Sequence, residues 1–128
     1  MEKLLGTGKV KAIGVANYSV RYLEELLPAI SIVPAVNQLE NHPFLPQQEA
    51  VDYCRDRAIH VTAYSPLGSS GSPLLSCPVV HKLATRKGVP TATILLSWHG
   101  AFPQPPLSSS FLKLECFGRS SVYQPSGT

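Results

Sequence analysis

Amide, phenol and hydroxyl side chains gather in three short stretches of this chain: Asn17-Tyr18, then Gln38 and Glu40 with His42 just beyond, then Tyr64 to Ser70. The third is the densest. Gly68 lets a backbone come close to a ligand, and Ser69 and Ser70 add hydroxyl donors, a composition suited to hydrogen-bonding an anion. The same composition also builds ordinary surface turns. Pro66 has no N–H to give a ladder and keeps Ser65 away from helical angles, so the run Val61 to Tyr64 must end there as a strand. Metal chemistry is not indicated: Cys54, Cys77 and Cys116 follow neither a CxxC nor any other metal-ligand spacing.

Those three stretches have to be placed by regular elements, and the apolar pattern supplies them. Met1 to Leu5 reads as a helical turn stopped by Gly6 and Gly8. Val10 to Val15 is a candidate buried strand closed by Asn17. Ser19 then suits an N-cap for a helix with Val20, Leu23, Leu26, Leu27 and Ile30 on one stripe. Val33 to Leu39 repeats the strand, Glu40 to Leu45 is a loop, and Pro46 opens a second helix with Ala50, Val51, Cys54 and Ala58 on its apolar side. Ile59 to Tyr64 is the third strand. Pro78 to Lys87 gives a third helix, with Val79, Val80, Leu83 and Ala84 apolar and Gly88 as its stop, and Thr91 to Trp98 a fourth.

Strands alternating with helices at this spacing imply parallel βαβ units, whose right-handed crossovers leave all strand C-termini on one edge. The three polar stretches fall at that edge each time. In a (β/α)8 barrel or an open doubly wound sheet, ligands bind there.

Size and charge bound the rest. With 128 residues, 44% hydrophobic and 15% charged, the chain suits one modest domain. The formal charge is +3, but its 11 Lys and Arg are scattered without a basic, aromatic-interleaved cluster, so no nucleic-acid partner is expected. No apolar run approaches the ~20 residues of a membrane span, so no membrane is expected either. An odd cysteine number and no basic-then-apolar leader favour a reducing, cytoplasmic setting.

The stretches GKVKAIGVANYS (Gly8 to Ser19), VNQLENHPFL (Val36 to Leu45) and VTAYSPLGS (Val61 to Ser69) resemble the aldo-keto reductases, NADPH-dependent (β/α)8 barrel enzymes that reduce aldehydes and ketones. The resemblance covers Met1 to about Trp98 and implies an α/β fold: a partial TIM (β/α)8 barrel holding about three parallel βα units of its second half. It implies a partial reductase domain over 1–99 and a divergent, irregular Pro/Ser-rich tail over 100–128. By resemblance, Asn17 and Gln38 match the residues that bond the nicotinamide carboxamide, and Tyr64 matches the one that stacks on the ring. Ser65, Leu67 and Ser69 match the loop that wraps the pyrophosphate. The implied cofactor is NADP(H), and the implied partner a small-molecule carbonyl substrate.

Two departures qualify this. Ala16 stands where the family commonly has a serine that adds a carboxamide hydrogen bond, a difference of ~1 kcal/mol. The family's catalytic aspartate, tyrosine, lysine and histidine lie in the barrel half before the equivalent of Met1, so no catalytic residue is expected here. Tyr18, Tyr22 and Tyr53 are poor substitutes, two of them falling inside helices. His42 either lines the pocket mouth or is a loop histidine positioned by Pro43, and His60 and His81 read as structural. The resemblance therefore implies an inactive reductase fragment that binds its cofactor weakly and self-associates through open sheet edges. A non-catalytic dinucleotide-binding remnant and a non-functional truncated product are the alternatives.

Overall fold

The computed structural model describes residues 1–101. Of the irregular tail expected over 100–128, Gly100 instead falls in a helix, and residues 102–128 lie outside the described residues. In order come α1 (Glu2–Leu5), β1 (Gly14–Ala16), α2 (Val20–Leu26) with a 3-10 turn at Leu27–Ala29, β2 (Val36–Glu40), α3 (Gln48–Arg55), β3 (His60–Tyr64), α4 (Pro78–Lys87) and α5 (Thr91–Gly100). The strands form one parallel sheet in the order β1-β2-β3, with Ala16 opposite Gln38, Gln38 opposite Thr62 and Glu40 opposite Tyr64. This is the expected α/β architecture, three parallel strands of an open sheet.

The boundaries move for identifiable reasons. β1 is shorter than the expected Val10–Val15, because its ladder begins only where Ile13 O accepts the Ala35 N–H at 2.8 Å. Pro34, just before Ala35, has no N–H to extend that ladder backwards, so β2 starts at Val36 instead of Val33. At its other end β2 takes in Glu40, expected as loop, because Glu40 has Tyr64 to pair with. Pro28 tightens the end of α2 into a 3-10 turn, so the helix stops short of Ile30. α3 opens at Gln48, not Pro46, behind a left-handed Gln47 at φ 45°. Ala58 is exposed at φ 57° beyond that helix and is not on its apolar side. Val79 is exposed too, leaving Val80 and Ala84 as the buried residues of α4.

Caps behave as the residue types dictate. The Ser19 hydroxyl accepts the Tyr22 N–H at 3.5 Å, and Gly88 ends α4 at φ 65°, where a side chain is strained.

Side-chain alternation splits the sheet into two faces. Asn37, Leu39 and Val61 point toward α2 and α3, where Leu23, Ala50, Val51, Cys54 and Ile59 complete a buried cluster, with Val15, Tyr18, Val20, Leu27 and Tyr53 packed at its margin. Gly14, Ala16, Val36, Gln38, Glu40, His60, Thr62 and Tyr64 share the opposite face by the same alternation and register. A second, smaller cluster of Leu74, Val80 and Leu95, flanked by Leu67, Cys77 and Ile94, sits between α4, α5 and the loop after β3. No described helix is long and apolar enough to cross a membrane.

Candidate functional site at the strand exits

The chain leaves β1 and β3 through residues in the left-handed region, Asn17 at φ 59° and Ser65 at φ 50°. Asparagine tolerates that conformation better than most residues, because its short amide can bond locally. The Asn17 N–H donates to Gln38 O at 2.9 Å, which ties the β1 exit to the last turn of the ladder. Both side chains are exposed. Gln38 and Tyr64 share the open face on adjacent strands, and strand spacing of ~4.8 Å keeps the exits of β1, β2 and β3 within about 10 Å of one another. The structure therefore brings Asn17, Gln38 and Tyr64 to one edge.

The serine loop folds back on itself immediately after. The Gly68 N–H donates to Ser65 O at 2.8 Å, the Ser72 N–H to Ser69 O at 2.9 Å, and the Ser69 hydroxyl lies 3.5 Å from that of Ser65. Gly68 sits at φ 84°, and a Cβ there would run into the Ser72 side chain, so both its conformation and its space demand glycine. The Leu67 side chain turns inward onto Leu74, Val80 and Leu95. Leu67 thus anchors the loop and leaves only its backbone for a ligand, while Ser69 is exposed.

Beside Asn17 lies a groove of about 420 Å³ lined by Asn17, Tyr18, Tyr22, Glu25, Leu26 and Ala29. Tyr18 and Tyr22 meet edge to face across it, 6.1 Å between ring centres. Ala16, the departure noted in sequence, pairs with Gln38 on the open face, where a methyl offers no hydrogen bond. His42 belongs to a tight turn, with its N–H and C=O both bonded to Leu45 and its Nε2 3.3 Å from Glu40 Oε1. That is the geometry of a loop histidine held by its neighbours. Among the described residues no three His, Cys, Asp or Glu side chains converge as metal ligands.

Sequence reasoning missed two buried asparagines, Asn37 and Asn41, and a histidine. Asn37 Nδ2 donates to Tyr18 O at 2.8 Å and reaches Cys54 Sγ at 3.6 Å, and its Oδ1 accepts the Tyr18 N–H at 3.4 Å. Asn41 Nδ2 donates to Pro46 O at 2.7 Å, which leaves its Oδ1 to accept from His99 Nδ1 at 2.8 Å. The signal was available: Asn37 falls on the same strand phase as Leu39, and a polar side chain on a core-facing phase must find partners. Burial lowers the pKa of His99, helped by the nearby His60, and burial alone lowers that of His60. Burial likewise raises the Cys54 thiol, against smaller opposing effects of Asn37 and Arg57.

The sequence model of the Aldo/keto reductase family matches residues 1–112. The chain is 61% identical over 99 residues to a D-galacturonate reductase of Hypocrea jecorina, covering 77% of this chain and 32% of that protein. It is 45% identical over 101 residues to a glycerol 2-dehydrogenase (NADP(+)) of Saccharomyces cerevisiae, with the same shares of 77% and 32%. Among solved structures, an aldose reductase from Giardia lamblia superposes with a TM-score of 0.73 at 43% identity, over 77% of this chain and 34% of that one. An aldo-keto reductase complexed with NADPH gives 0.69 at 33% identity, over 76% and 32%. The chain spans about a third of the length of the curated relatives it matches.

Proposed function

The chain belongs to the aldo/keto reductase family, and from that premise we propose that its strand-exit edge is the nicotinamide and pyrophosphate portion of an NADP(H) site serving carbonyl reduction. One observation carries the reading: Asn17, bonded through its N–H to Gln38 O at 2.9 Å, shares an edge with Tyr64 and a serine loop closed around Gly68. The donor set fits the cofactor. Two exposed amides suit a carboxamide, a phenol ring suits stacking on a flat heterocycle, and hydroxyls with a glycine-opened backbone suit a pyrophosphate.

When bound, NADPH supplies the hydride that adds to a carbonyl carbon while the oxygen takes a proton. The residues of this chain bind and orient: Asn17 and Gln38 hold the carboxamide, Tyr64 backs the ring so that one face meets the substrate, and Ser65, Leu67 and Ser69 fix the phosphates. The proton donor, with its lysine, histidine and aspartate, belongs to the part of the family's barrel that this chain does not match, so the chain alone binds weakly and does not turn over. Cys54 and Cys77 form no disulfide among the described residues, which supports a reducing, cytoplasmic setting. The outer edges of β1 and β3 support self-association of the isolated chain.

A titration with NADPH and NADH, followed by nicotinamide fluorescence, tests the reading. Each charge-assisted contact missing relative to a complete site is worth ~1.5–3 kcal/mol, which places the dissociation constant near the millimolar range. Tyr64→Ala is expected to abolish the remaining response, and an aldehyde panel should show only background reduction, since the general acid contributes ~10² to 10⁴ in rate. Weak binding indifferent to Tyr64→Ala would show that the site is not formed. Turnover that Tyr18→Phe abolishes would show that Tyr18 replaces the missing acid.

A further inference from the structure

We propose that Asn37, whose side chain lies on the helix-facing side of the sheet, is the positioning residue that sets the backbone from which Asn17 presents its amide. This rests on the reading of Asn17 as a nicotinamide contact.

The geometry is specific. Asn37 is 0% exposed and lies on the helix-facing phase of β2, with its Nδ2 3.6 Å from Cys54 Sγ. Its amide grips both polar groups of the Tyr18 backbone: Oδ1 accepts the N–H at 3.4 Å, and Nδ2 donates to the C=O at 2.8 Å. The next residue, Gln38, accepts the Asn17 N–H on its carbonyl at 2.9 Å. Two consecutive residues of β2 therefore fix three polar groups across Asn17 and Tyr18.

The hold has a purpose in physical terms. Asn17 is left-handed at φ 59°, a conformation that asparagine tolerates better than most residues yet still populates less than right-handed or extended backbone, so outside bonds help to hold it. The Asn37 amide does what the next residue of a partner strand would do, extending the ladder past Ala16 without requiring extended backbone there. An apolar residue of equal volume would fill the same cavity beside Cys54 and could not perform this bridging. Burying an amide inside an apolar cluster is unfavourable unless its bonds are made, and here they are directed at the turn.

The test is Asn37→Leu in the full chain, which keeps the branched outline of the side chain and removes both grips. Amide exchange by nuclear magnetic resonance should show Tyr18 exchanging at least tenfold faster, with Val61 and Ala63 in β3 unchanged. Nicotinamide mononucleotide should perturb Asn17 in the unsubstituted chain and at least tenfold more weakly in Asn37→Leu. Inorganic pyrophosphate should perturb Ser69 equally in both, a contrast that a general loosening of the fold would not produce. Unchanged protection of Tyr18 overturns the proposal, and so does faster exchange with an intact mononucleotide response at Asn17. A chain that ignores the mononucleotide before any substitution sinks the cofactor reading itself, and the positioning role with it. If Asn37→Leu does not fold, Asn37→Ser, which is smaller and still polar, is read by the same outcomes.

Discussion

The sheet with α2 and α3, and the pair α4–α5, solve the same packing problem at different scales. The first buries seven side chains between strands and helices and spends buried asparagine bonds on its loops; the second buries Leu74, Val80 and Leu95 between two helices and a loop. The sheet unit is closed by its own local pattern, strand and helix alternating. The α4–α5 unit depends on borrowed contacts: Leu67 and Leu74 from the loop after β3, and the bond from His99 to Asn41. Of the candidate cofactor residues, Asn17 and Gln38 belong to the sheet, and Ser65, Leu67 and Ser69 to the loop that leads from it to α4. A ligand gripping both groups would therefore fasten one region to the other.

If that contrast is right, equal deletions will have unequal reach. Leu39→Ala removes a side chain 2% exposed, and Leu95→Ala one 1% exposed, so each should lose about 2–5 kcal/mol from the structure it supports. Leu39→Ala is expected to lower the midpoint of the whole sheet unit in urea, whereas Leu95→Ala frees α4 and α5 and leaves β2 and β3 amides protected from exchange. Identical loss of protection everywhere in both variants would merge the two regions into one cooperative unit.

A smaller effect separates crowded glycine from conformational glycine. At Gly14 a Cβ would stand 2.9 Å from Val36 O, so Gly14→Val must push β1 off β2, at about 1–3 kcal/mol by the scale of overpacking. Gly88, between α4 and α5, has φ 65° and nothing within 4 Å, so Gly88→Ala meets only the left-handed penalty of about 1 kcal/mol. Thermal melts of the two variants should differ in that order, and a reversal would put the crowding in the helical pair.

The smallest expected effect is with pH. His60 and His99 have lowered pKa values when folded, so below the unfolded value of about 6.5 the unfolded chain takes up protons first. Stability is complete above that pH and falls as pH drops through the window beneath it, levelling only once the folded histidines protonate too. Urea midpoints at pH 7.5 and 5.5 should show the loss, and His99→Gln should reduce it. An unchanged slope in His99→Gln would remove His99 from the account.

Much of this was legible in the chain because the relevant signals are local. Ser19 as cap, Pro78 and Gly88 as the limits of α4, and the break at Ser65-Pro66 all follow from what each residue can do with its own backbone. The C-terminal edge follows from alternation, and Asn17, Gln38 and Tyr64 stand on it as the parallel crossovers require. What was not legible depends on partners: where β1 starts is set by Ala35 across the sheet, the exposure of Val79 by how α5 lies on α4, and the roles of Asn41 and His99 by a bond between residues on different elements. Leu67 shows the limit within the site itself, since no local pattern tells a loop leucine whether to face a ligand or the cluster behind it.

The sheet order repeats the chain order, and this has a consequence for how the structure forms. Successive strands pair with their immediate predecessors at nearly equal sequence spacing, so closing the loop around α2 and closing the one around α3 carry almost the same entropic penalty. Neither pairing has a head start from chain length. Ladder length differs: β2 and β3 contribute five residues each and β1 only three, so the β2–α3–β3 unit is expected to be the nucleus that β1 joins, an order that φ values near zero at Val15 and well above it at Val61 would bear out. The β1 exit, and with it Asn17, is then the last of the strand ends to be fixed.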